Sequence, residues 1–139
     1  MLKLEKASFL GASAHSFNTE GIAVTETVYQ EKVFEGWHCH EHHHITFILA
    51  GGNLEQRRRG ELQVCPGSVL LYHSGELHRN SHTRHPSRNI NLEIEHAFLA
   101  KYQLNFDVRM DDAGLKPALI RIWQESKIND ACSLPGIQA

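Results

Sequence analysis

The chain has 139 residues, 41% of them apolar and 22% charged, and carries a formal net charge of −2 at pH 7. That length holds about one domain around one core, and the composition excludes disorder and low complexity. A segment that grips nucleic acid by itself needs a basic excess to displace counterions, and this one has none.

Met1 to Glu5 alternates charge with leucine and leads into no apolar run of signal-peptide or membrane length. A cytoplasmic protein with no membrane partner is expected. Cys39, Cys65 and Cys132 are odd in number, widely spaced and without a C-x-x-C pair, which suits a reducing compartment and argues against a disulfide framework.

Gly21 to about Val33 is rich in Val, Ile, Thr and Tyr and reads as a strand, as does Ile45 to Ala50. Gly51-Gly52-Asn53 is a turn signal, followed by strands Leu54 to Arg58 and Glu61 to Val64 with a turn at Arg59-Gly60. The run Arg57-Arg58-Arg59 then lies at a hairpin tip, where charge is usually solvated. After the Pro66-Gly67 turn come the short buried strand Ser68 to Tyr72, a turn at Ser74-Gly75, and a last strand from Asn89 to Glu95. Short strands at this spacing, before any helix, indicate a sandwich or barrel.

After Asp107 the period changes. Leu115, Leu119, Ile122 and Trp123 fall at i, i+4, i+7 and i+8, the apolar stripe of an amphipathic helix, with Asp111 and Asp112 upstream as capping acids. Pro117 is tolerable only in the first turn, so the helix should start near Gly114 to Pro117 and end near Asn129. Its stripe must pack on the barrel or on another subunit, and C2 pairing of antiparallel helices through these four residues makes a homodimer the expectation. Ser133-Leu134-Pro135-Gly136 reads as the start of a second helix cut short at Ala139. Residues 1–110 are thus expected to form the barrel and 111–139 a helical segment.

The chemistry lies in the histidines, 11 of 139 residues. On an extended strand side chains alternate faces, so His38, His40, His42 and His44 share one side, while Cys39, Glu41 and His43 share the other. Imidazoles two residues apart can converge on one metal ion, and His78 enters from a later strand to join His38, His40 and His44. His42 is the bystander of the row. Such a donor set suits Zn, Ni, Fe, Cu or Co far better than Mg or Ca. The same histidines could instead line a metal-free pocket for a small ligand. Barrel-facing Thr46, Ile48, Ala50 and Tyr72 would complete that pocket.

Gly36-x-His38-x-His40, then His44 and Gly51, resembles the first cupin motif. Gly67, His73-Ser74-Gly75, His78 and His82 follow the outline of the second. The resemblance implies a double-stranded β-helix, or jelly-roll, barrel and places His38, His40 and His78 at the family's metal positions. The sequence departs from it where His44 replaces the glutamate of the first motif, and where His73 and His82 replace the proline and asparagine of the second. Its first glycine also stands only two residues before His38. With the carboxylate gone, a bound divalent ion would keep its full charge and favour an anionic or carbonyl ligand.

The wider stretch from Gly21 to Glu95, with His38-Cys39-His40-Glu41-His42, Ile45 to Gly52, Pro66-Gly67-Ser68 and His78-Arg79-Asn80, resembles the amino-terminal sensing domain of AraC-type transcription regulators. Ile120 to Glu125 and Ser133 to Ile137 resemble the helices that link that domain to paired helix-turn-helix units. The resemblance implies a small-molecule effector, a dimerising role, and DNA contact only through a carboxy-terminal half absent from these residues. The rival expectation is a stand-alone metal-dependent cupin enzyme, a dioxygenase or isomerase.

Overall fold

The computed structural model describes residues 2–103 and 115–128. The capping acids Asp111 and Asp112, Cys132, the side chain of Leu115 and the second helix start at 133–136 lie outside the described residues. The elements in chain order are β1 (Leu2–Leu4), β2 (Ala12–Thr19), β3 (Ile22–Tyr29), β4 (His38–His40), β5 (His43–Arg57), β6 (Gly60–Val64), β7 (Val69–Tyr72), β8 (His78–Ile94), α1 (His96–Lys101) and α2 (Leu115–Ile128).

All eight strands belong to one curled, cupin-like sheet. Its path runs β1-β4-β8-β3-β2, and β5 pairs with β6, β7 and β8. The two long strands do the curling. β5 pairs with β8 from His43↔Ile94 to Arg57↔His78, with register shifts between Ile48 and Leu54. Gly51 and Gly52 there take φ of 83° and 125°, so they form a bulge inside β5 and not the turn expected from their sequence. A bulge and a tight turn ask for the same backbone freedom, and here the ladder continues past it. Gly52 has a second constraint: a Cβ would stand 2.2 Å from the Val64 carbonyl oxygen.

The sheet has two unlike faces. On one, Phe17, Ile22, Val24, Ile45, Phe47, Ile90 and Leu92 form the main hydrophobic cluster, which Leu119 of α2 joins at 1% exposure. Ile122 and Trp123 pack against the same cluster, so three of the four stripe residues are covered by their own chain's barrel. α2 lies against β2, β3 and β8, and it starts with Pro117 in its first turn, where a missing N–H costs nothing.

The other face lines the barrel interior. His44, Thr46, Asn91 and Glu93 are buried there in direct cross-strand register, His44↔Glu93 and Thr46↔Asn91. Thr46 Oγ1 donates to Asn91 Oδ1 (2.7 Å), and Asn91 Nδ2 donates to Thr27 Oγ1 (2.9 Å) and the Thr25 carbonyl (3.4 Å). A smaller apolar cluster of Ile48, Val64, Leu70 and Tyr72 closes the interior.

Candidate functional site

His38 and His40 stand two apart on β4, and both are buried. The chain bends at Glu41 and His42 before β5 begins at His43. The single continuous strand assumed for residues 38–44 is therefore two, and His44 reaches the interior by the alternation of β5. His78 is the direct cross-strand partner of His38 and of Arg57. Ring centroids are 4.2 Å apart for His38 and His78, 4.3 Å for His40 and His44, and 5.7 Å for His38 and His40. His42 sits apart, with Nε2 near the carboxylates of Glu95 (3.9 Å) and Glu41 (4.0 Å).

Among the described residues, His38, His40 and His78 are the group whose ligand atoms all lie within 4.8 Å of one another. His44 is outside that set, stacked on Tyr72 at 4.4 Å with an interplanar angle of 10°. Burial disfavours the charged imidazolium: it pulls His38 and His78 down to about 4 and His40 down to about 3, and holds His44 well below its ordinary value. All four are neutral at pH 7. His38 Nδ1 donates to the Gly36 carbonyl and His78 Nδ1 to the Glu76 carbonyl, each at 3.2 Å, so in both rings Nε2 keeps its lone pair. His40 Nδ1 is buried without a hydrogen-bond partner. Neutral rings, oriented by carbonyls and with free nitrogen lone pairs, fit a divalent transition metal.

Sequence reasoning missed the carboxylate beside this set. The β5 bulge switches the inward positions from even to odd numbers, so Asn53, Glu55 and Arg57 turn inward instead of the residues the alternation of Thr46 and Ile48 would continue to. Glu55 is 0% exposed. It accepts hydrogen bonds from Tyr72 Oη and from Arg57 Nε (3.0 Å). Arg57 also donates to the Leu71 carbonyl (3.0 Å) and Glu76 (3.2 Å), and its guanidinium lies 4.4 Å over the Tyr72 ring. Of the arginine run, Arg57 is thus part of an interior network, while Arg58 and Arg59 are exposed. Burial raises the Glu55 and Tyr72 pKa values, with Arg57 opposing both shifts.

A cavity of about 40 Å³ lies at the histidines, lined also by Thr46, Ile48 and Tyr72 and covered by Phe9 and Leu10 of the segment before β2. The Phe9 ring is 4.9 Å from His40 and 5.6 Å from His44. Ala50 does not line it: within the bulge it is exposed and opposite Arg88.

No curated protein is detectably similar in sequence. Similar solved structures include the DMSP lyase DddQ from Ruegeria pomeroyi DSS-3, with a TM-score of 0.50, 20% identity and coverage of 56% of this chain and 40% of the lyase. Others are a cupin-2 domain containing protein from Shewanella frigidimarina (TM-score 0.48, 11% identity, 61% of this chain and 84% of that one) and a putative mannose-6-phosphate isomerase from Ralstonia eutropha JMP134 (0.48, 12%, 65% and 94%). At such identities the lyase likeness is one of fold, and this chain spans less than half of the lyase. The family profile described as AraC-like ligand binding domain matches residues 21–131. Matched over well more than half its length, and folded around a buried polar cavity, the chain belongs to the AraC-like ligand binding domain family.

Proposed function

We propose that this chain is the effector-sensing domain of a cytoplasmic AraC-type transcription regulator. A small molecule entering the histidine-lined barrel changes how α2 sits, and so how a carboxy-terminal DNA-binding half of a homodimer is presented. Coupling of this kind requires that the ligand favour one of two states.

The observation that carries this reading is the shared use of β3. Glu26, 4% exposed, accepts from Trp123 Nε1 of α2 at 2.8 Å and lies 3.3 Å from Lys127 Nζ. Its neighbours Thr25 and Thr27 face the interior, where both hold Asn91 of the cavity wall. A ligand that moves Asn91 thus acts on the strand that anchors the helix. His38, His40 and His78 would hold a divalent ion, which when bound supplies a positive centre for a carbonyl or anionic group of the effector.

The DNA following the codon for Ala139 is expected to encode helix-turn-helix units in frame. In that longer chain Glu26→Gln combined with Trp123→Phe is expected to weaken the transcriptional response to effector. A stop codon directly after Ala139, or an undiminished response, overturns the proposal.

A second reading, a metal-dependent enzyme, is favoured by the Tyr72 and Glu55 pair, a buried proton donor and acceptor beside His78, whose ring lies 4.5 Å from Tyr72. It requires a stoichiometric metal in untagged protein, and less than about a tenth of an equivalent removes it.

A further inference from the structure

The cavity lined by the histidines is also lined by four asparagines, Asn53, Asn80, Asn89 and Asn91, of which Asn53, Asn80 and Asn89 extend into an adjoining space that no histidine lines. They are not equivalent. Asn91 spends both ends of its amide within the protein, accepting from Thr46 and donating to Thr27 and Thr25. Asn53 Oδ1 and Asn80 Oδ1 are buried without a hydrogen-bond partner. Both residues also line the adjoining space of about 20 Å³ that leads past Phe34 and Thr83. Asn80 stands opposite Glu55, two positions from Asn53 on β5, which makes the two asparagines diagonal cross-strand neighbours on the inward face.

A buried carbonyl oxygen left unpaired is costly, and two of them in one cavity describe a site awaiting donors. Charge narrows what can bring them. None of the residues lining either space is Asp, Glu, Lys or Arg. Arg57, whose guanidinium lies over the Tyr72 ring of the cavity wall, is taken up by Glu55 and Glu76. A charged group would lose its hydration at this end with no counter-charge to replace it.

We infer that Asn53 and Asn80 form a subsite for a neutral hydrogen-bond-donating group of the effector, such as a primary amide or a pair of hydroxyls. This rests on the effector-pocket reading and specifies its ligand: donors at the asparagine end, with any anionic or carbonyl group confined to the histidine end. The size of the cavity limits that group to a few heavy atoms.

Acetamide and acetate test this directly, being equal in heavy-atom count and differing in donors and charge. Each is titrated into the intact ¹⁵N-labelled chain while the side-chain amide resonances of Asn53 and Asn80 are followed, with exposed Asn18 as internal reference. Acetamide is expected to move both saturably. Asn80→Ala, checked for folding by its thermal transition, is expected to weaken that response about tenfold. Acetate is expected to leave both asparagines still. An equal response to acetate, or an acetamide response unchanged by Asn80→Ala, overturns the subsite. Acetate moving the amides of His40 and His78 while acetamide leaves Asn53 and Asn80 still also overturns it, but leaves the effector pocket standing. Silence to both probes overturns the subsite in the wild-type chain without recourse to any variant.

Discussion

The two faces of one sheet obey opposite rules. On the helix-side face Ile45, Phe47, Ile90 and Leu92 do what a core does, and α2 covers them. On the interior face the positions between them, His44, Thr46 and Asn91, are buried just as deeply but polar. Strand alternation assigns successive residues to the two faces, so this domain carries its apolar core on one side of β5 and β8 and its buried polar cavity on the other. A pocket wall of buried, neutral imidazoles and amides weakens the fold unless each group is paired or a ligand completes it.

Acid should break the comparison hardest, because it attacks only the interior face. The folded pKa values of His38, His40 and His78 are depressed by burial, so the unfolded chain binds protons first. Their effect on stability is nil above about 6.5 and grows as pH falls. It levels off near 4 for His38 and His78 and near 3 for His40. Each contributes at most roughly 1.4 kcal/mol per pH unit in that window. Glu93, which burial pushes up to about 7, works the other way, adding stability as pH falls from about 7 to 4.5. Glu55, which burial also raises, works in the same direction as Glu93. Four buried histidines, His44 included, outweigh two carboxylates. Urea midpoints measured from pH 7 to 4.5 should fall steeply, and a flat profile would mean that the histidines are not buried as described.

Leu119→Ala tests the other face. It removes a side chain 1% exposed between α2 and the barrel and should cost about 2–5 kcal/mol in urea unfolding while leaving the acid limb unchanged in shape. A loss under about 1 kcal/mol would mean that α2 is not docked on its own barrel.

Trp123→Phe probes the link between the faces at smaller amplitude. It deletes the 2.8 Å bond to Glu26 but leaves that carboxylate its contacts with Lys127 (3.3 Å) and Arg88 (3.7 Å). The expected cost is about 1 kcal/mol. Hydrogen exchange should quicken in α2 first, and exchange quickened equally throughout the sheet would remove the local anchor.

Much of this division was legible in the sequence, where one periodicity governed a segment. The 3.6-residue spacing of Leu119, Ile122 and Trp123 and the position of Pro117 placed α2. Two-residue alternation put His38, His40 and His44 in one row, although it put His42 there too and could not foresee the bend at Glu41 and His42 that takes His42 out of it. What alternation could not supply was its own interruption. Gly51-Gly52 reads equally as a turn or a bulge, since both need positive φ, and the choice decided whether Glu55 and Arg57 lay in the interior or at a solvated tip. β2 was missed because Phe17 is its one buried residue, and α1 because six residues are too few for a helical period to show.

Ala50 makes that interruption measurable, with the smallest effect of the set. Alternation from Thr46 and Ile48 puts it in the pocket, where a new hydroxyl would need a partner and would disturb Asn89 across the cavity. The bulge puts it outside, exposed and opposite Arg88. Ala50→Ser should therefore change stability by less than about 0.5 kcal/mol, as exposed substitutions usually do. It should also leave the side-chain amide resonances of Asn53, Asn80 and Asn91 where they are. Larger shifts at those asparagines would return Ala50 to the interior, and with it the register on which the inward placement of Asn53 and Glu55 depends.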